Sequence, residues 1–513
     1  MQRKIEYPSG PSSIFPAKIL RKFIRDPLNT FTNIAKEYGD ISHFKLARQH
    51  VYLLNNPDYI EKILIYDHHN FKKGKRLETA KRLLGEGLVT SEGEYHDNQK
   101  KMIHPFFLPK KISSYCSIMS QYAFERCRNW QDGSVIDIHK EMMNLTFAII
   151  CKCMLNYDMD TKEAEKFSKA FSISKEYSKR LQHPIGHVLD SIPILPKVAQ
   201  SRNAAKTLDS IVYKLISDRK KEIIQDISDT NSNNNKSTNN SDDLLSKLLL
   251  IQQSSIQTIS TLGKDQAISN NKNNNNSSST SNDGNRNDIS SQLPDKQIRD
   301  HLITMLIAGH ETTANALTWT FYLLSQNPHI EKKVIQEIDS IIENNQKDKD
   351  KKINDNNNTI SIKDLPKLKY VEQVFREAMR LYPPVWSIGR IVKEDYNLGE
   401  YTIPKDSAIF MSQYVMHRDP RFYKDPEHFN PERWTNDFKM HLPRFAYFPF
   451  GGGLRGCIGE PFAWQEGIIL IATILNYWTL QLVPKQNIKL ETGITLNPKR
   501  GIKMKLKSRR AKN

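Results

Sequence analysis

Residues 450–459 read FGGGLRGCIG and place a single cysteine, Cys457, in a segment made mostly of glycine. Glycine has no Cβ, so the backbone here can turn tightly and approach a flat ligand closely. Arg455 stands two residues before the sulfur. An adjacent arginine lowers the pKa of a thiol and offers a planar pair of donors to a carboxylate. The segment therefore has the properties of a loop that presents a thiolate to a flat, metal-containing cofactor.

An inert core thiol and a zinc ligand are the two alternatives for Cys457. Free cysteines are most often buried and inert, but a glycine-rich loop flanked by an arginine is a poor way to build a core. A zinc site would place another cysteine or a histidine two to four residues away, and residues 453–461 contain neither besides Cys457 itself. A cofactor ligand is therefore the favoured interpretation.

The loop follows the pattern Phe-x-x-Gly-x-Arg-x-Cys-x-Gly. The residues that meet it are Phe450, Gly453, Arg455, Cys457 and Gly459. This pattern resembles the haem-ligand loop of the cytochrome P450 monooxygenases. The resemblance implies that Cys457 is the thiolate ligand of the iron of haem b (iron protoporphyrin IX), and that Phe450, Gly451 and Arg455 contact the haem.

The chain has 513 residues, enough for a core that encloses a cofactor. Its five cysteines form no evenly spaced framework, so disulfides are not indicated and a reducing compartment fits. The N-terminus lacks the apolar core of a signal peptide, and no stretch approaches about eighteen uncharged apolar residues. We expect a soluble protein without a membrane anchor, located in the cytoplasm and at most peripheral to a membrane.

The net charge of +18 raises the question of nucleic-acid binding. The basic residues are spread along the whole chain, with no interleaved aromatic platform and no zinc knuckle, so we expect no nucleic-acid partner. A basic surface also speeds the encounter with an acidic electron-donor protein, because complementary charges steer association.

Three prolines within the first sixteen residues predict an irregular entry segment over residues 1–25. Residues 26–507 follow as one catalytic domain, and residues 508–513 as a basic tail. Three Asn-rich insertions, which cannot bury enough apolar surface to order themselves, are expected at about 229–241, 252–292 and 344–358. The family resemblance implies a mainly α fold, with one large helical domain and a small β-rich lobe.

The sequence AGHETT, which begins at Ala308, lies in the middle of a predicted long helix, Asp295–Ser325. The hydroxyl of Thr312 can hydrogen-bond the Ala308 carbonyl and widen the helix, leaving room for dioxygen and a water. The motif is similar to the oxygen-activation motif of the P450 family. The resemblance implies that Glu311 and Thr312 relay protons to bound oxygen, while Ala308 and Gly309 lie against the haem.

Family members usually carry Trp-x-x-x-Arg in the window that here reads GEYHDNQKKMIHPFF, and those two side chains reach a haem propionate. This chain has His96 and Lys100 instead, one helical turn apart and therefore facing the same way. Lysine keeps the charge but lacks the bidentate fork of arginine. We expect both residues to contact a propionate, together with Arg390, which matches another propionate-binding position of the family.

Glu377 and Arg380 lie one turn apart on a further predicted helix. Alone, such a pair is a weak signal, because exposed ion pairs contribute little. Together with Arg433 they resemble the family's buried Glu-Arg-Arg cluster, which would brace the cysteine loop because a buried charge persists when it is fully paired. The resemblance also places Val89 and Val385 in an apolar substrate pocket.

The function implied is that of a haem-thiolate monooxygenase, which inserts one atom of dioxygen into a small hydrophobic substrate. Electrons would come from a ferredoxin- or flavodoxin-type donor with its reductase, and we expect a monomer. Peroxide-driven hydroxylation stays open, although an intact Glu311–Thr312 pair argues against it. A non-catalytic haem-thiolate sensor or carrier and an isomerase also stay open.

Overall fold

The computed structural model describes residues 6–11, 16–46, 48–181, 195–230, 242–253, 293–347 and 359–510. Most of these residues are helical. The helices, numbered in chain order, are α1 (Pro16–Arg25), α2 (Pro27–Tyr38), α3 (Pro57–Glu61), α4 (Lys75–Leu84), α5 (Gly93–Ile103), α6 (Pro109–Ser114), α7 (Cys116–Arg128), α8 (Ile138–Leu155), α9 (Thr161–Leu181), α10 (Pro196–Thr230), α11 (Asp295–Gln326), α12 (Pro328–Lys347), α13 (Lys369–Leu381), α14 (Gln413–Met416), α15 (Asn436–His441) and α16 (Glu460–Tyr477).

Shorter elements complete the helical part. Residues 244–253 are also helical. A π-helical turn covers Lys62–Tyr66, and 3₁₀ turns cover His68–Asn70, His104–Phe107, Leu365–Lys367, Pro431–Arg433, Arg444–Ala446 and Gly453–Arg455.

The strands form one larger sheet and three small ones. They are β1 (Ile41–Leu46), β2 (Gln49–Leu54), β3 (Phe71–Lys73), β4 (Val135–Asp137), β5 (Ile388–Val392), β6 (Tyr396–Leu398), β7 (Tyr401–Ile403), β8 (Ala408–Met411), β9 (Trp478–Leu482), β10 (Leu490–Thr492), β11 (Leu496–Pro498) and β12 (Lys503–Ser508). The larger sheet has the order β1-β2-β8-β5-β3, in which β2 and β8 run parallel and the other neighbours antiparallel. The small sheets are β4-β12-β9, β10-β11 and β6-β7. This arrangement confirms the predicted mainly α fold with a small β-rich lobe.

Helix α11 runs through the middle of the helical part and is buried on nearly every side between Ile298 and Leu324. Helices α8, α10, α13 and α16 pack around it. A helix that is covered all round is expected to be apolar all round, yet α11 buries several polar side chains. These buried polar residues are Arg299, Asp300, His301, Thr304, His310, Glu311, Thr313, Asn315, Thr318 and Thr320. They mark α11 as the element along which a polar function could be built.

Helix α16 begins three residues after Cys457, so its N-terminus points toward the cysteine loop. Pro461 occupies the first turn, where its missing N–H removes no helical hydrogen bond. Residues 468–475 of this helix are buried throughout and join the main apolar core. The loop is therefore attached to one of the most deeply packed helices of the protein.

The structure differs from the sequence analysis at both ends of the chain. Residues Pro16–Arg25 form a helix, which corrects the expectation of an irregular segment up to residue 25. The physical reason is that Pro16 stands in the first turn, where proline favours a helix rather than interrupting it. Arg509 and Arg510 do not form a loose tail, because both guanidinium groups contact the Asp339 carboxylate, at 2.7 and 3.3 Å.

The predicted Asn-rich insertions fall mostly on 231–241, 254–292 and 348–358, which lie outside the described residues. At their edges the helices continue further than expected, to residues 230, 253 and 347. No described helix combines the length and the apolar character needed to cross a lipid bilayer. All five cysteines are free thiols.

Candidate active site

The cysteine loop is held in shape by its own backbone. The N–H of Cys457 donates to the carbonyl of Phe450 at 3.0 Å, and the N–H of Gly456 donates to Gly453 at 3.0 Å. Gly453 has a φ of 70°, which most residues with a side chain avoid. An added Cβ there would lie 2.1 Å from the carbonyl oxygen of Leu64. Glycine at this position is therefore required both by the turn and by the close approach of the π-helical turn.

The side chain of Cys457 is exposed, although protein atoms surround the sulfur on most sides. Burial is the main reason why the pKa of this thiol rises to about 11. Hydrogen bonds from the backbone N–H groups of Gly459 and Glu460 act in the opposite direction. A group that is surrounded by protein and yet accessible faces an open space, so the sulfur is available to a ligand. A bound metal cation is what would keep this sulfur as a thiolate at neutral pH.

Helix α11 also has an accessible patch in the middle of its buried length. Ala308 is exposed and Gly309 and Thr312 are half-buried, whereas residues 301–307, 310–311 and 313–321 are buried. The Thr312 hydroxyl donates to the Ala308 carbonyl at 2.8 Å, as predicted from the spacing. These two residues lie one turn apart and face the same way. They therefore border an open space inside the helical part.

Gly309 has a different environment. A Cβ added to it would lie 2.8 Å from Cδ1 of Ile150, on helix α8. The absence of a side chain at Gly309 thus allows α8 to pack closely against α11.

A cavity of about 330 Å³ lies against the cysteine loop. Its lining includes Cys457 and Gly451–Gly453, together with Lys100, Tyr447 and Glu460. Neither Ala308 nor Thr312 contributes to this lining. The cavity therefore borders the cysteine loop and does not reach the accessible patch of α11.

Glu311 is buried and takes its partners from outside α11. Its carboxylate accepts a hydrogen bond from Thr495 at 2.6 Å and forms an ion pair with Lys175. Burial alone would raise its pKa, but the nearby Lys175 ammonium and these hydrogen bonds hold the pKa below its usual value. Thr312 is bonded to Ala308 instead. The predicted relay residues are thus adjacent in sequence, but each side chain has its own partner.

Lys73 and Arg390 lie directly opposite each other in the antiparallel pair β3–β5. Both side chains are buried. Burial is the main cause that lowers the pKa of Lys73 to about 8 and that of Arg390 to about 10. Like charges placed opposite each other destabilise a sheet. This arrangement therefore indicates a site that receives negative charge.

Arg455 adds a third cation to these two. Its guanidinium donates to the Phe71 carbonyl at 3.1 Å and to the Glu92 carboxylate at 2.5 Å. Glu92 also accepts the backbone N–H of Lys73. The Lys73 ammonium itself donates to the carbonyl oxygens of Leu88 and Ser91, at 3.1 and 2.6 Å. Among the described residues, Glu92 is the carboxylate whose charge acts on all three cations. The cluster of Lys73, Arg390, Arg455 and Glu92 therefore has a surplus of two positive charges.

His96 and Lys100 lie near this cluster but make other contacts. The ring of His96 is buried, and its Nδ1 is 3.0 Å from the Asp97 carboxylate. Burial is the main cause that lowers the pKa of His96, so its imidazole is neutral near pH 7. Lys100 donates to the carbonyl of Leu454 at 2.6 Å, in the cysteine loop. Lys100 is therefore joined to the loop itself.

The residues present fit haem. An accessible thiol lies beside an open space, and the two surplus cations match a group that carries two carboxylates. Burying unpaired cations is costly unless a counter-charge binds.

The sequence motifs do not point to Lys73 or to Glu92. Lys73 lies in the run FKKGKR, in which no motif distinguishes it from the other basic residues. The period of two in a strand, which puts Phe71 and Lys73 on the same face, is the signal that could have found Lys73.

Glu377, Arg380 and Arg433 come together as a buried cluster. Both Arg380 and Glu377 have fully buried side chains, and Arg380 binds the two carboxylate oxygens at 2.9 Å each. Arg433 donates to the same carboxylate at 3.0 Å, and Trp434 donates at 2.8 Å. Arg380 also donates to the carbonyl of His417 at 2.8 Å. The single carboxylate thus pairs with both guanidinium groups, and the remaining donors of the two arginines are bonded to backbone carbonyls.

His417 connects this cluster to the cysteine loop. Its Nε2 accepts the backbone N–H of Phe448 at 3.0 Å, and the Phe448 carbonyl accepts the N–H of Gly451 at 3.0 Å. On the other side of the loop, the ring of Phe450 lies 5.9 Å from that of Trp464, in α16. The loop is therefore fixed between the buried ion cluster and the helix that follows it.

Val89 and Val385 are both partly buried. Val89 packs against the main apolar core, next to the segment that carries Glu92. Val385 follows Pro384, whose carbonyl accepts the N–H of Leu496 at 2.8 Å. Thr495, which donates to the carboxylate of Glu311, stands directly before strand β11. The hairpin of β10 and β11 therefore contacts both the segment around Val385 and Glu311 of α11.

Comparison with known proteins gives consistent matches over nearly the whole chain. The family model described as Cytochrome P450 matches residues 8–506. The chain is 28% identical to Cyclooctat-9-en-7-ol 5-monooxygenase of Streptomyces melanosporofaciens, over 90% of this chain and 86% of that protein. It is 26% identical to Pentalenene oxygenase of Streptomyces avermitilis, over 95% and 94%. It is 30% identical to Protein LUTEIN DEFICIENT 5, chloroplastic, of Arabidopsis thaliana, over 92% and 72%.

Proposed function

The chain belongs to the cytochrome P450 family and is a P450 monooxygenase, and we propose that it inserts one atom of dioxygen into a small terpenoid. Two of the similar proteins are named for substrates of this kind, pentalenene and cyclooctat-9-en-7-ol. Such substrates present mostly C–H bonds, so they suit an apolar pocket. Val89 and Val385 are proposed to form part of that pocket.

We propose that Cys457 binds the iron of haem b. The observation that carries this proposal is that the Cys457 side chain is accessible although protein surrounds it. When bound, haem supplies the activation of dioxygen, and a thiolate ligand favours O–O cleavage. The backbone N–H groups of Gly459 and Glu460 would stabilise the charge on the sulfur. Phe450 and Gly451 would complete the contact surface of the loop.

We propose that Arg390, Arg455 and Lys73 neutralise the two haem carboxylates. The surplus of two positive charges in their cluster supports this assignment. Arginine is suited to bidentate pairing, whereas lysine contributes a compact charge. His96 is a candidate for a further hydrogen bond. Lys100 is proposed to act near the carboxylates from its position on the Leu454 carbonyl.

We propose that Thr312 and Glu311 handle the protons of the reaction. Thr312 borders the open space next to Ala308, so its hydroxyl is placed to orient a water there. Gly309 would let α11 keep its position against α8 beside that space. Glu311 would supply the proton, because positioned carboxyl groups are effective proton donors within hydrogen-bond reach. Glu377, Arg380 and Arg433 are assigned to holding the loop rather than to the chemistry.

Monooxygenation consumes two electrons, and P450 enzymes receive them from redox partners. We propose a ferredoxin- or flavodoxin-type donor with its reductase. The positive net charge of the chain, +18, favours association with an acidic protein of this type.

A spectral screen of the purified haem-loaded protein tests the proposed substrate class. Terpenoids, fatty acids and steroids are added, and the shift of the haem absorption band reports binding next to the iron. We expect saturable shifts with terpenoids, followed by oxygenated products when a donor protein and its reductase are supplied. Shifts with fatty acids or steroids alone would contradict the terpenoid assignment. Product formation with peroxide, but with no donor protein, would favour a peroxide-driven hydroxylase.

A further inference from the structure

Residues 6–11, here called the strap, run along the free edge of the larger sheet. Strand β1 is the outermost strand of that sheet, and within the sheet it pairs with β2 alone. On its other side the backbone N–H of His43 donates to the carbonyl of Ser9 at 3.2 Å. A Cβ added to Gly10 would lie 1.8 Å from the His43 carbonyl oxygen. The strap is therefore held close against β1, and this approach requires glycine at position 10.

A pair of histidines lies beside the strap on one face of the β1–β2 hairpin. In the register of these strands, His43 stands opposite Tyr52 and Lys45 opposite His50, so the four side chains share a face. The Nε2 of His43 lies 2.9 Å from the Nδ1 of His50. The ring of Tyr7, in the strap, stacks on both imidazoles, with centroids 4.4 Å from that of His43 and 5.3 Å from that of His50. The histidine pair is thus the surface on which the strap places its tyrosine.

The contact between the two imidazoles depends on how many protons they carry. A hydrogen bond between two ring nitrogens needs one N–H and one lone pair. A first added proton leaves that bond intact, and the charged ring also attracts the face of Tyr7. A second proton removes the lone pair and places two cations in contact, so the docked pair excludes it. When the strap is lifted, each ring is open to water and takes its own proton.

The charged and titratable groups around the pair do not offset a second positive charge. Lys45 adds a cation on the same face, and the buried hydroxyl of Tyr52 stays neutral because burial raises its pKa. The carboxylate of Asp406, just before β8, pairs with a lysine of β3 at 3.8 Å. The carboxylate of Glu6, in the strap, acts on Tyr401. Within the residues that the structure describes, neither imidazole has a carboxylate in ion-pair contact.

Helices α1 and α2 cover the opposite face of the hairpin. They pack there against the apolar side chains of Phe44, Val51 and Leu53. The charged residues of these helices therefore do not face the histidine pair.

Burial is the main cause that lowers the pKa of His43, to about 4, and the pKa of His50 is lowered for the same reason. A free histidine has a pKa of about 6.5. Between these values the open state binds more protons than the docked state. Docking of the strap is therefore complete above about pH 6.5 and is lost progressively as the pH falls toward 4.

We propose that the histidine pair makes the strap acid-sensitive: at neutral pH the shared hydrogen bond and the Tyr7 stack keep residues 6–11 on β1, and in mild acid a second proton on the pair releases them. The free edge of a strand presents N–H and C=O groups with which another chain can pair. The strap is thus a cover for the edge of the larger sheet, and the pH determines whether this cover is in place. This behaviour is independent of the proposed monooxygenase function.

Hydrogen exchange of the His43 amide in the haem-loaded full chain measures the docking directly, because this N–H is bonded to the strap. Its protection factor, which is corrected for the intrinsic effect of pH on exchange, is compared at about pH 7.5 and about pH 5. We expect it to fall about 30-fold, since the open state binds one more proton than the docked state over the ~1.5 pH units below 6.5. The buried amides of residues 469–475 in α16 should stay protected, which shows that the fold is intact.

Three variants test the cause of this change. His43→Gln combined with His50→Asn replaces the two ring nitrogens by amides that do not titrate, so the protection should be the same at both pH values. Gly10→Ala should lift the strap and lower the protection of the His43 amide at both. His441→Gln removes a histidine whose side chain is 77% exposed, and it should keep the original response to pH.

Hydrogen exchange at the C2 position of the histidine rings, followed by mass spectrometry, gives the pKa of each imidazole without relying on the double variant. In the unaltered protein the pKa of His43 should lie well below 6.5, and in Gly10→Ala the pKa values of both rings should return toward 6.5. Values near 6.5 for both rings in the unaltered protein would overturn the proposal. An equal loss of His43 amide protection in acid in the double variant would overturn it as well.

Discussion

The guanidinium of Arg455 lies 2.5 Å from the carboxylate of Glu92, so the residue two positions before the cysteine is joined to the residue that precedes helix α5. The same carboxylate accepts the backbone N–H of Lys73, which stands opposite Arg390 in the sheet. One acidic group thus lies near three cations, of which Lys73 and Arg390 are buried and Arg455 is partly buried. Without the haem carboxylates, two of these positive charges lack a counter-charge, and this costs stability.

Lys73 makes the stability of the haem-free protein depend on pH. Burial lowers its pKa in the folded state to about 8, whereas an unfolded lysine keeps a pKa of about 10.4. Between these values the unfolded state binds more protons, so the free energy of unfolding rises with pH by up to about 3 kcal/mol. In Lys73→Met this contribution should be missing. Chemical denaturation of the haem-free protein between about pH 7 and 11 measures the difference.

The neighbouring residue provides a matched control for this experiment. Lys72 is on the same strand, but its side chain is 52% exposed and its ion pair with Asp406 is long, at 3.8 Å. Lys72→Met should therefore leave the pH dependence unchanged. Equal slopes in Lys73→Met and in the unaltered protein would show that Lys73 is not held as a buried cation.

Cys457→Ser should abolish the thiolate-type spectrum of the reduced carbon monoxide complex. A serine oxygen cannot donate electron density as a thiolate does. Absorption spectroscopy of the purified variant measures this change directly. Cys116→Ser, which alters a buried free cysteine elsewhere, should keep the spectrum. Survival of the thiolate signal in Cys457→Ser would remove Cys457 as the ligand.

Thr312→Ala should divert electrons from product to hydrogen peroxide, with haem content unchanged. Loss of a positioned hydroxyl should lower the product yield by about tenfold or more, as is typical when a group in proton transfer is removed. Oxygen consumption, peroxide and product are measured together. Thr318 on the same helix also donates to the carbonyl four residues earlier, at 2.6 Å, and Thr318→Ala is the control that should stay coupled. Normal coupling in Thr312→Ala would contradict its role.

Glu377→Gln should destabilise the protein by roughly 3–5 kcal/mol, because Arg380 and Arg433 would lose their buried counter-charge. Denaturant unfolding and haem content are the measurements. The control is Glu372→Gln, on the same helix, which removes a partly exposed pair with Arg376 at 2.8 Å. That change should cost about 0.5 kcal/mol or less. Equal stabilities of the two variants would mean that the buried cluster does not hold the fold together.

The parts of the site that could be predicted from sequence are those with local patterns. The hydrogen bond between Thr312 and Ala308 follows from helical spacing. The contact between Glu377 and Arg380 likewise follows from their separation of one helical turn. In each case the two partners are near in the chain, so the residue spacing alone predicts that their side chains meet.

The parts that could not be predicted depend on contacts between distant segments. Lys175 is 136 positions from Glu311, and Thr495 is 184 positions away. Nothing in the local sequence around Lys175 distinguishes it from the solvated lysines of α9. Helix α1 was missed for another reason, because proline can either interrupt a chain or begin a helix.

The hydrogen bond from the backbone N–H of Phe448 to His417 joins the cysteine loop to the cluster of Glu377, Arg380 and Arg433. Because one histidine connects the two, the alignment of the Cys457 sulfur is coupled to the integrity of an ion cluster that takes no part in the chemistry.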